Sequence, residues 1–484
     1  MPSDIEKQFR EIEQLFIQGK FQVILKAVEK IEAKDLTKEE ELICKIFKSD
    51  AIHKLGRHKE ALQTVEEILK ETKKLGYSLV QVDALLIKAD AYDMIHHDSE
   101  KIFSVLENAK EILSSIRNIP EKVIAERNAR LHQREAQTYF EITLDYTKGI
   151  DIHEQALKLA RKSGNKQLIT RSLTYLSRAY AESSIDPKKA EKLFEEAKDL
   201  AKAIENKFEM ALIYILSGIV CLNNRELKKA INSFENSIKL SKEIGSTYLL
   251  HAYINLAFIY EDLNELNKAL ACYQSFLKIQ ELPHTSYAYA RIGGIYSRKF
   301  DYDKALENTM KALDVAEKQN NKLYIFYALV SLVKLFIDMD NLDLAKRYYA
   351  RLEEMKKEYS NKWTNIFFLY TSILILKAST KMQDWIKALE LTDELLAVEN
   401  LNPWMRYLAL FFQIEIRFKE LQVTADPIVL EEVKRDIINL QKEAEEKQFS
   451  EIHVNTYRLQ SQLALLELNA KEAITLLTKA HNLA

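Results

Sequence analysis

The stretch YINLAFIYEDLNELNKALACYQSFL, residues 253–277, contains two amphipathic segments that are joined by a short polar turn. Apolar residues recur in both segments at helical spacing, which predicts two helices that face each other. Similar stretches flank it, and each again consists of two segments and a turn. They read YILSGIVCLNNRELKKAINSFENSI at 214–238 and YARIGGIYSRKFDYDKALENTMKAL at 289–313. The sequence therefore predicts a repeated helix–turn–helix hairpin.

A small or apolar residue early in the second helix of each copy aligns the copies along the chain. These anchor residues are Ile24, Ala61, Ile102, Gly149, Ala190, Ala230, Ala269, Ala305, Ala345, Ala388 and Ala473, with a degenerate copy near Val433. They define twelve hairpins with a mean spacing of about 41 residues. One hairpin cannot bury its apolar faces alone, so consecutive hairpins are expected to stack on one another.

The pattern resembles the tetratricopeptide repeat (TPR). That family has a small residue and an aromatic in the first helix, here Ala257 and Tyr260, and Ala, an aromatic and Ala in the second, here matched by Ala269, Tyr273 and Phe276. The usual repeat is about 34 residues long; the longer units are similar to those of kinesin light chains and bacterial signal-responsive regulators. The resemblance implies an all-α, right-handed superhelical α-solenoid of about twelve TPR-like repeats.

The hairpins form one continuous solenoid over residues 1–484, with soft boundaries where the spacing is irregular. We expect N-terminal repeats at 1–120, regular central repeats at 121–400 and degenerate repeats at 401–484. The last segment, KEAITLLTKAHNLA, has an apolar stripe. Solenoids usually end on a polar helix, so either this helix caps imperfectly or the native chain continues.

Composition excludes several classes of protein. Only 9 Gly and 6 Pro occur among 484 residues, too few for the tight turns of sandwiches and barrels or for glycine-rich nucleotide loops. The net charge of −2 gives no general attraction to nucleic acid or to an anionic membrane. The three scattered cysteines and the acidic start of the chain lead us to expect a cytoplasmic protein without a membrane span.

The sequence contains no recognisable catalytic motif. No H-E-x-x-H, C-x-x-C, G-x-S-x-G or phosphate-loop pattern is found. His96, His97 and Asp98 could hold a metal ion, but a solvated turn is the simpler explanation for three adjacent polar residues. We therefore expect a non-catalytic protein with no metal and no cofactor.

In the TPR family the first helices line a groove that binds partner segments, and this likeness selects candidate residues here. Tyr287, Tyr327 and Tyr370 recur in successive units, and cations share their surface, so an acidic or apolar segment would fit. The alternative is that these rings simply pack between neighbouring helices. The candidate groove residues are Arg171, Tyr175, Arg178, Asn255, Phe258, Tyr287, Arg291, Tyr327, Lys334, Tyr370 and Lys377.

These observations indicate a protein-interaction scaffold that binds a protein or peptide partner in the concave groove. One alternative is that the chain is the sensory part of a larger regulator, with an effector domain outside it. A subunit buried permanently in an assembly is less favoured, because the outward positions are mostly Lys, Glu and Asp. The sequence does not identify the partner or the oligomeric state.

Overall fold

The structure, a computed structural model, describes residues 4–483 except 77, 97, 184, 247, 280–284, 400 and 448–449. The described residues fold almost entirely into helices and contain no strand. They divide into two compact units, Met1–Leu256 and Ala257–Ala484. The fold class is therefore all-α, as the sequence predicts, and no helix in the described part is long and apolar enough to cross a membrane.

The described residues of unit 1 form twelve helices, a π-helical segment and the first part of a thirteenth helix. They are α1 (Asp4–Ile17), α2 (Phe21–Glu32), α3 (Lys38–Lys54), α4 (His58–Leu75), α5 (Ser78–His96), α6 (Ser99–Ser115), α7 (Glu121–Gln137), the π-helix (Thr138–Thr143), α8 (Tyr146–Ser163), α9 (Lys166–Ser183), α10 (Pro187–Ala203), α11 (Lys207–Asn223), α12 (Leu227–Ile244) and α13 (Tyr248–Asp262).

Unit 2 begins within α13 and contains eleven further helices among its described residues. They are α14 (Leu266–Leu277), α15 (Thr285–Arg298), α16 (Tyr302–Lys318), α17 (Lys322–Asp338), α18 (Leu342–Glu358), α19 (Lys362–Ala378), α20 (Met382–Leu396), α21 (Pro403–Thr424), α22 (Pro427–Lys447), α23 (Ser450–Leu466) and α24 (Ala470–Leu483).

The anchor residues confirm the repeat register. Each of the twelve lies in the first half of an even-numbered helix, and each is buried. Close approach at these helix crossings explains the preference for small side chains. At Gly218, a Cβ atom would lie 2.8 Å from the Phe234 ring, and at Gly293 it would lie 2.2 Å from Thr309 Oγ1. Only glycine fits at these two crossings as they stand.

Several helices begin with capping side chains; the sequence predicts capping boxes for Ser3 with Glu6 and for Thr37 with Glu40, and a cap at Asp186 before Pro187. Thr37 and Glu40 form a reciprocal capping box at α3. Asp186, with a proline after it, accepts a hydrogen bond from the Lys189 amide at the start of α10. A side-chain oxygen at the N-cap satisfies an amide that has no partner within the helix. The expected pairing of Ser3 with Glu6 involves Ser3, which lies outside the described residues.

The irregular spacing between Ile102 and Gly149 has a structural cause. The π-helix Thr138–Thr143 extends α7, and Leu144 then adopts a left-handed conformation with φ of 59°. Asp145 follows and accepts a hydrogen bond from the Lys148 amide at the start of α8. The extra residues of this interval therefore lengthen the first helix of the hairpin and form its turn.

In unit 1 the first hairpin contacts α11, far along the chain. Asn206 Nδ2 donates a 2.6 Å hydrogen bond to the Ile17 carbonyl, and the rings of Phe21 and Phe208 meet edge to face at 4.7 Å. Gly19 lies in the turn between α1 and α2 with φ of +67°, and a Cβ there would collide with Phe208 and Asn206. These contacts join the first and sixth hairpins of unit 1.

Unit 2 has a continuous apolar core that runs from Ala290 in α15 to Leu459 in α23. Each odd-numbered helix contributes to it and also contacts the next odd-numbered helix from α15 to α21. The opposite face of these helices is therefore positioned as one surface along the unit.

Two adjacent glycines provide a test of the repeat register. Gly293 is buried at the crossing, whereas the Cβ position of Gly294 has no neighbouring atom within 4 Å. We expect Gly293→Ala to lower the free energy of unfolding by about 1–3 kcal/mol through overpacking. Gly294→Ala should raise it by about 0.5–1 kcal/mol, because alanine loses less backbone entropy on folding. Urea unfolding followed by circular dichroism measures both, and equal effects would contradict the register.

Candidate functional site

In unit 1, ion pairs connect the odd-numbered helices with one another. Arg134 of α7 contacts Asp90 and Asp93 of α5, at 2.7 and 2.6 Å. Lys54 of α3 lies 3.5 Å from Asp90. We call the whole set the charge network; it consists of Asp50, Lys54, Asp83, Asp90, Asp93, Arg127, Arg130, Arg134, Glu141, Arg171, Arg178 and Glu209.

Two of the cations that the sequence assigns to partner binding belong to the charge network. Arg171 pairs with Glu209 of α11, a carboxylate with no solvent exposure, and its guanidinium lies 5.8 Å from the Phe208 ring. Arg178 pairs with Glu182 of its own helix at 2.8 Å and with Glu141 of the π-helix. Both arginines therefore satisfy carboxylates of this chain.

Neighbouring charges of the network strongly affect the pKa of Asp90. Burial alone would raise the pKa of Asp90, but the charges of Arg134 and Lys54 outweigh burial and hold that pKa well below its usual value. Burial lowers the pKa of Lys54, against the opposing effects of Asp90 and Asp50. The carboxylate is thus held in its charged form by its neighbours.

Tyr175 and Asn255 are also held by contacts within unit 1. The Tyr175 ring stacks on His153 with a centroid distance of 6.0 Å, and burial raises the pKa of Tyr175 to about 12. Asn255 Nδ2 donates a 2.8 Å hydrogen bond to the His251 carbonyl, one turn earlier in its own helix. Part of the hydrogen-bonding capacity of this asparagine is therefore used inside α13.

In unit 2, aromatic rings from successive odd-numbered helices form a continuous row. The Tyr287 ring of α15 lies 6.4 Å from that of Tyr327 of α17, and Tyr327 lies 4.8 Å from Phe367 of α19. Trp363 lies 6.5 Å from Phe367. We call Tyr287, Tyr327, Phe367 and Trp363 the aromatic row. All four residues are half-buried.

The third ring of this row differs from the one that the repeat spacing selects. Tyr370 is buried, and its ring lies 5.8 Å from Phe412 of α21. Phe367, one turn earlier in α19, lies beside Tyr327 instead. Aligning the repeat copies of the chain selects Tyr370 rather than Phe367, because α19 is apolar around its circumference. The sequence therefore does not define which face of α19 lies beside α17.

The face of α15 that carries Tyr287 also carries a cation and a glycine with open space beside it. Tyr287, Arg291 and Gly294 share one face of α15 at helical spacing. Arg291 makes two hydrogen bonds to Glu261, at 3.1 and 2.8 Å, and its guanidinium lies 6.0 Å from the Phe258 ring. Phe258 is 40% exposed. The surface therefore combines an exposed ring, a paired cation and the open space at Gly294.

The two remaining candidate cations differ in their surroundings. Lys334 pairs with Asp338 of its own helix at 2.7 Å and is 48% exposed. Lys377 is 19% exposed, pairs with Glu415 of α21 and lies 4.5 Å from the centre of the Phe412 ring. Lys334 is thus accessible to a partner, whereas Lys377 belongs to a second cluster of cations on α19, α21 and α23.

Most ion-pair partners of these side chains are not evident from the sequence, although the spacing of charged residues on two helices indicates some of them. Arg127, Arg130 and Arg134 recur on one face of α7, and Asp83 and Asp90 on one face of α5. Such spacing indicates a charged stripe. Among the described residues no group of acids, histidines and cysteines could hold a metal ion. His97, one of the three residues that could hold a metal ion by their sequence, lies outside the described residues.

Removing the carboxylate from each of two ion pairs that differ in burial provides a test of the charge network. We expect Glu209→Ala to lower the free energy of unfolding by about 3–5 kcal/mol, because Glu209 has no solvent exposure and its partner Arg171 is only 17% exposed. Glu196→Ala removes an exposed carboxylate from Arg161, at 2.8 Å, and should cost at most about 1 kcal/mol. Chemical unfolding measures both, and similar losses would contradict a structural role for Glu209.

Buried histidine makes unit 1 sensitive to acid. Burial, with the Arg178 charge, lowers the pKa of His153 to about 3, below the value of about 6.5 in an unfolded chain. The unfolded state thus binds a proton that the folded state does not between these values. Stability should fall below pH 6.5 by about 1.4 kcal/mol per pH unit for this group. His153→Phe should flatten the fall in urea-unfolding free energy between pH 6.5 and 4.5; an unchanged slope would contradict this.

Comparison with known proteins identifies the repeat. Residues 250–281 and 286–319 match the tetratricopeptide repeat family, and no curated protein matches the sequence. A structure of Rap protein complexed with competence and sporulation factor is 16% identical, with a TM-score of 0.50, covering 73% of this chain and 98% of that one. Yeast Tom70 is 14% identical, with a TM-score of 0.43, covering 99% and 95%. At these identities the likeness concerns the fold.

Proposed function

We propose that the chain is a non-catalytic scaffold that binds a partner segment along unit 2, because two of its hairpins match the tetratricopeptide repeat, a helical repeat that generally mediates protein–protein interaction. The observation that carries this proposal is the aromatic row. Half-buried rings offer large contact areas at a low entropic cost, and tyrosine and tryptophan are enriched where partners bind most strongly. The partner would be a segment of a protein with apolar side chains.

Charge supports a partner that also carries acidic groups. Lys334 is exposed near the aromatic row, and Arg291 uses two of its donors on Glu261. An acidic side chain on the partner could pair with Lys334 without disturbing the core. In unit 1, by contrast, Arg171 and Arg178 already neutralise carboxylates of the chain. Binding there would require these largely buried pairs to separate, whereas the pair of Lys334 with Asp338 is solvent-accessible and contributes little, so we assign the partner to unit 2.

Gly294 allows the docking surface to be blocked without disturbing the fold. A tryptophan side chain at this position would project into the open space beside Tyr287 and Arg291, where it would displace a bound segment. Alanine adds one methyl group and leaves most of that space free. We expect Gly294→Trp to weaken partner binding about thirtyfold, which is the loss expected for a central contact worth about 2 kcal/mol. Gly294→Ala should bind as the wild type does.

The partner can be sought by photo-crosslinking in cells of the source organism. We expect p-benzoylphenylalanine in place of Trp363, a half-buried ring of the aromatic row, to form adducts that are lost when Lys334→Glu is added. The same probe at Lys387, an exposed residue of α20, provides the control. Mass spectrometry identifies the adducts, and the purified partner then allows the Gly294 variants to be compared by titration. The same adducts from both positions, or adducts that persist with Lys334→Glu, would contradict the proposal.

A further inference from the structure

Three cations from successive odd-numbered helices of unit 2 surround a single carboxylate. Lys377 of α19 and Arg458 of α23 both pair with Glu415 of α21, the latter at 3.1 Å. Lys419 of α21 donates a 2.6 Å hydrogen bond to the backbone carbonyl of Lys377. Among the described residues no second carboxylate pairs with these cations. We call Lys377, Lys419 and Arg458 the cation triad.

Each member of the cation triad lies over an aromatic ring. Lys377 Nζ lies 4.5 Å from the centre of the Phe412 ring, Arg458 Cζ 5.7 Å from Phe411, and Lys419 Nζ 5.7 Å from Trp385. Buried rings limit the movement of the side chains above them. The cations are therefore held close together although they repel one another, and an incoming anion would find them already positioned.

Lys419 shows the excess of positive charge most clearly. Burial lowers its pKa, and the neighbouring charge of Lys377 lowers it further, while Glu415 acts in the opposite direction. The one carboxylate therefore does not compensate the Lys419 ammonium completely. Arg458 is 49% exposed, whereas Lys377 is 19% exposed and Lys419 is half-buried, so solvent reaches the cation triad mainly from the side of Arg458. These observations describe a half-buried site that lacks negative charge.

We propose that the cation triad binds a phosphoryl group on the partner segment. Three cations and the Glu415 carboxylate leave a charge of +2, which matches a phosphate monoester at about −1.5 to −2 near pH 7 better than a single carboxylate. Lysine and arginine together offer several donors to the oxygens of a phosphate. The assignment to a partner segment rests on the proposed function, whereas the affinity for phosphate can be measured without any partner.

Titration with inorganic phosphate at low, constant ionic strength tests the site. Isothermal calorimetry should show saturable binding that Lys419→Gln weakens by at least about tenfold. Glu415→Gln removes the competing carboxylate and should strengthen binding, a gain that a poorly folded variant would not produce. Lys387→Gln, on α20, should bind as the wild type does. Non-saturable heats, or equal affinities in the Lys419 and Glu415 variants, would overturn the site.

Three further ligands test whether the site prefers a phosphoryl group and whether that group belongs to a peptide. Succinate should bind more weakly than phosphate, and an equal affinity would overturn the assignment to a phosphoryl group. A phosphoserine tripeptide with leucine on both sides should bind more tightly than glycerol phosphate if the phosphoryl group belongs to a segment with apolar side chains, as proposed above. Equal affinities would overturn the link to a partner segment while the phosphate site itself stands. If crosslinking at position 363 fails but phosphate binds, only the proposed docking surface is rejected.

Discussion

Close contact between the two helices of each hairpin is the constraint on which the rest of the structure depends. At Gly293 even a methyl group would collide with Thr309, and at Gly218 with Phe234. Small residues at the crossing bring the backbones together, so the aromatic or branched side chain beside them fills the remaining space. Twelve such contacts in register orient every odd-numbered helix, and hence determine which side chains share its outer face.

The repeat and its register could be predicted from sequence because they depend on local spacing. Ala269 and Ala305 recur at the same point of their hairpins whatever lies around them, and both are buried as expected. Helix starts such as Thr37 and Asp186 were predictable for the same reason. Each of these features is decided within a few residues, where a single sequence carries enough information.

The candidate site was less predictable because it depends on contacts between hairpins. Arg178 stands at a groove position, but only the structure shows that Glu141 of the π-helix pairs with it. Phe367 takes the place expected for Tyr370 because α19 is apolar on all sides, so its rotation is set by tertiary packing. A charge on one helix does not reveal whether the next helix neutralises it.

The bond from Asn206 to the Ile17 carbonyl has a consequence for biosynthesis. Its partners are separated by 189 residues, and a ribosome adds about 5–20 residues per second. The first hairpin therefore leaves the ribosome roughly 10–40 s before the surface that covers Phe21 exists. During this interval its apolar side chains are open to chaperones and to aggregation, although most of the other hairpins receive their neighbours almost at once.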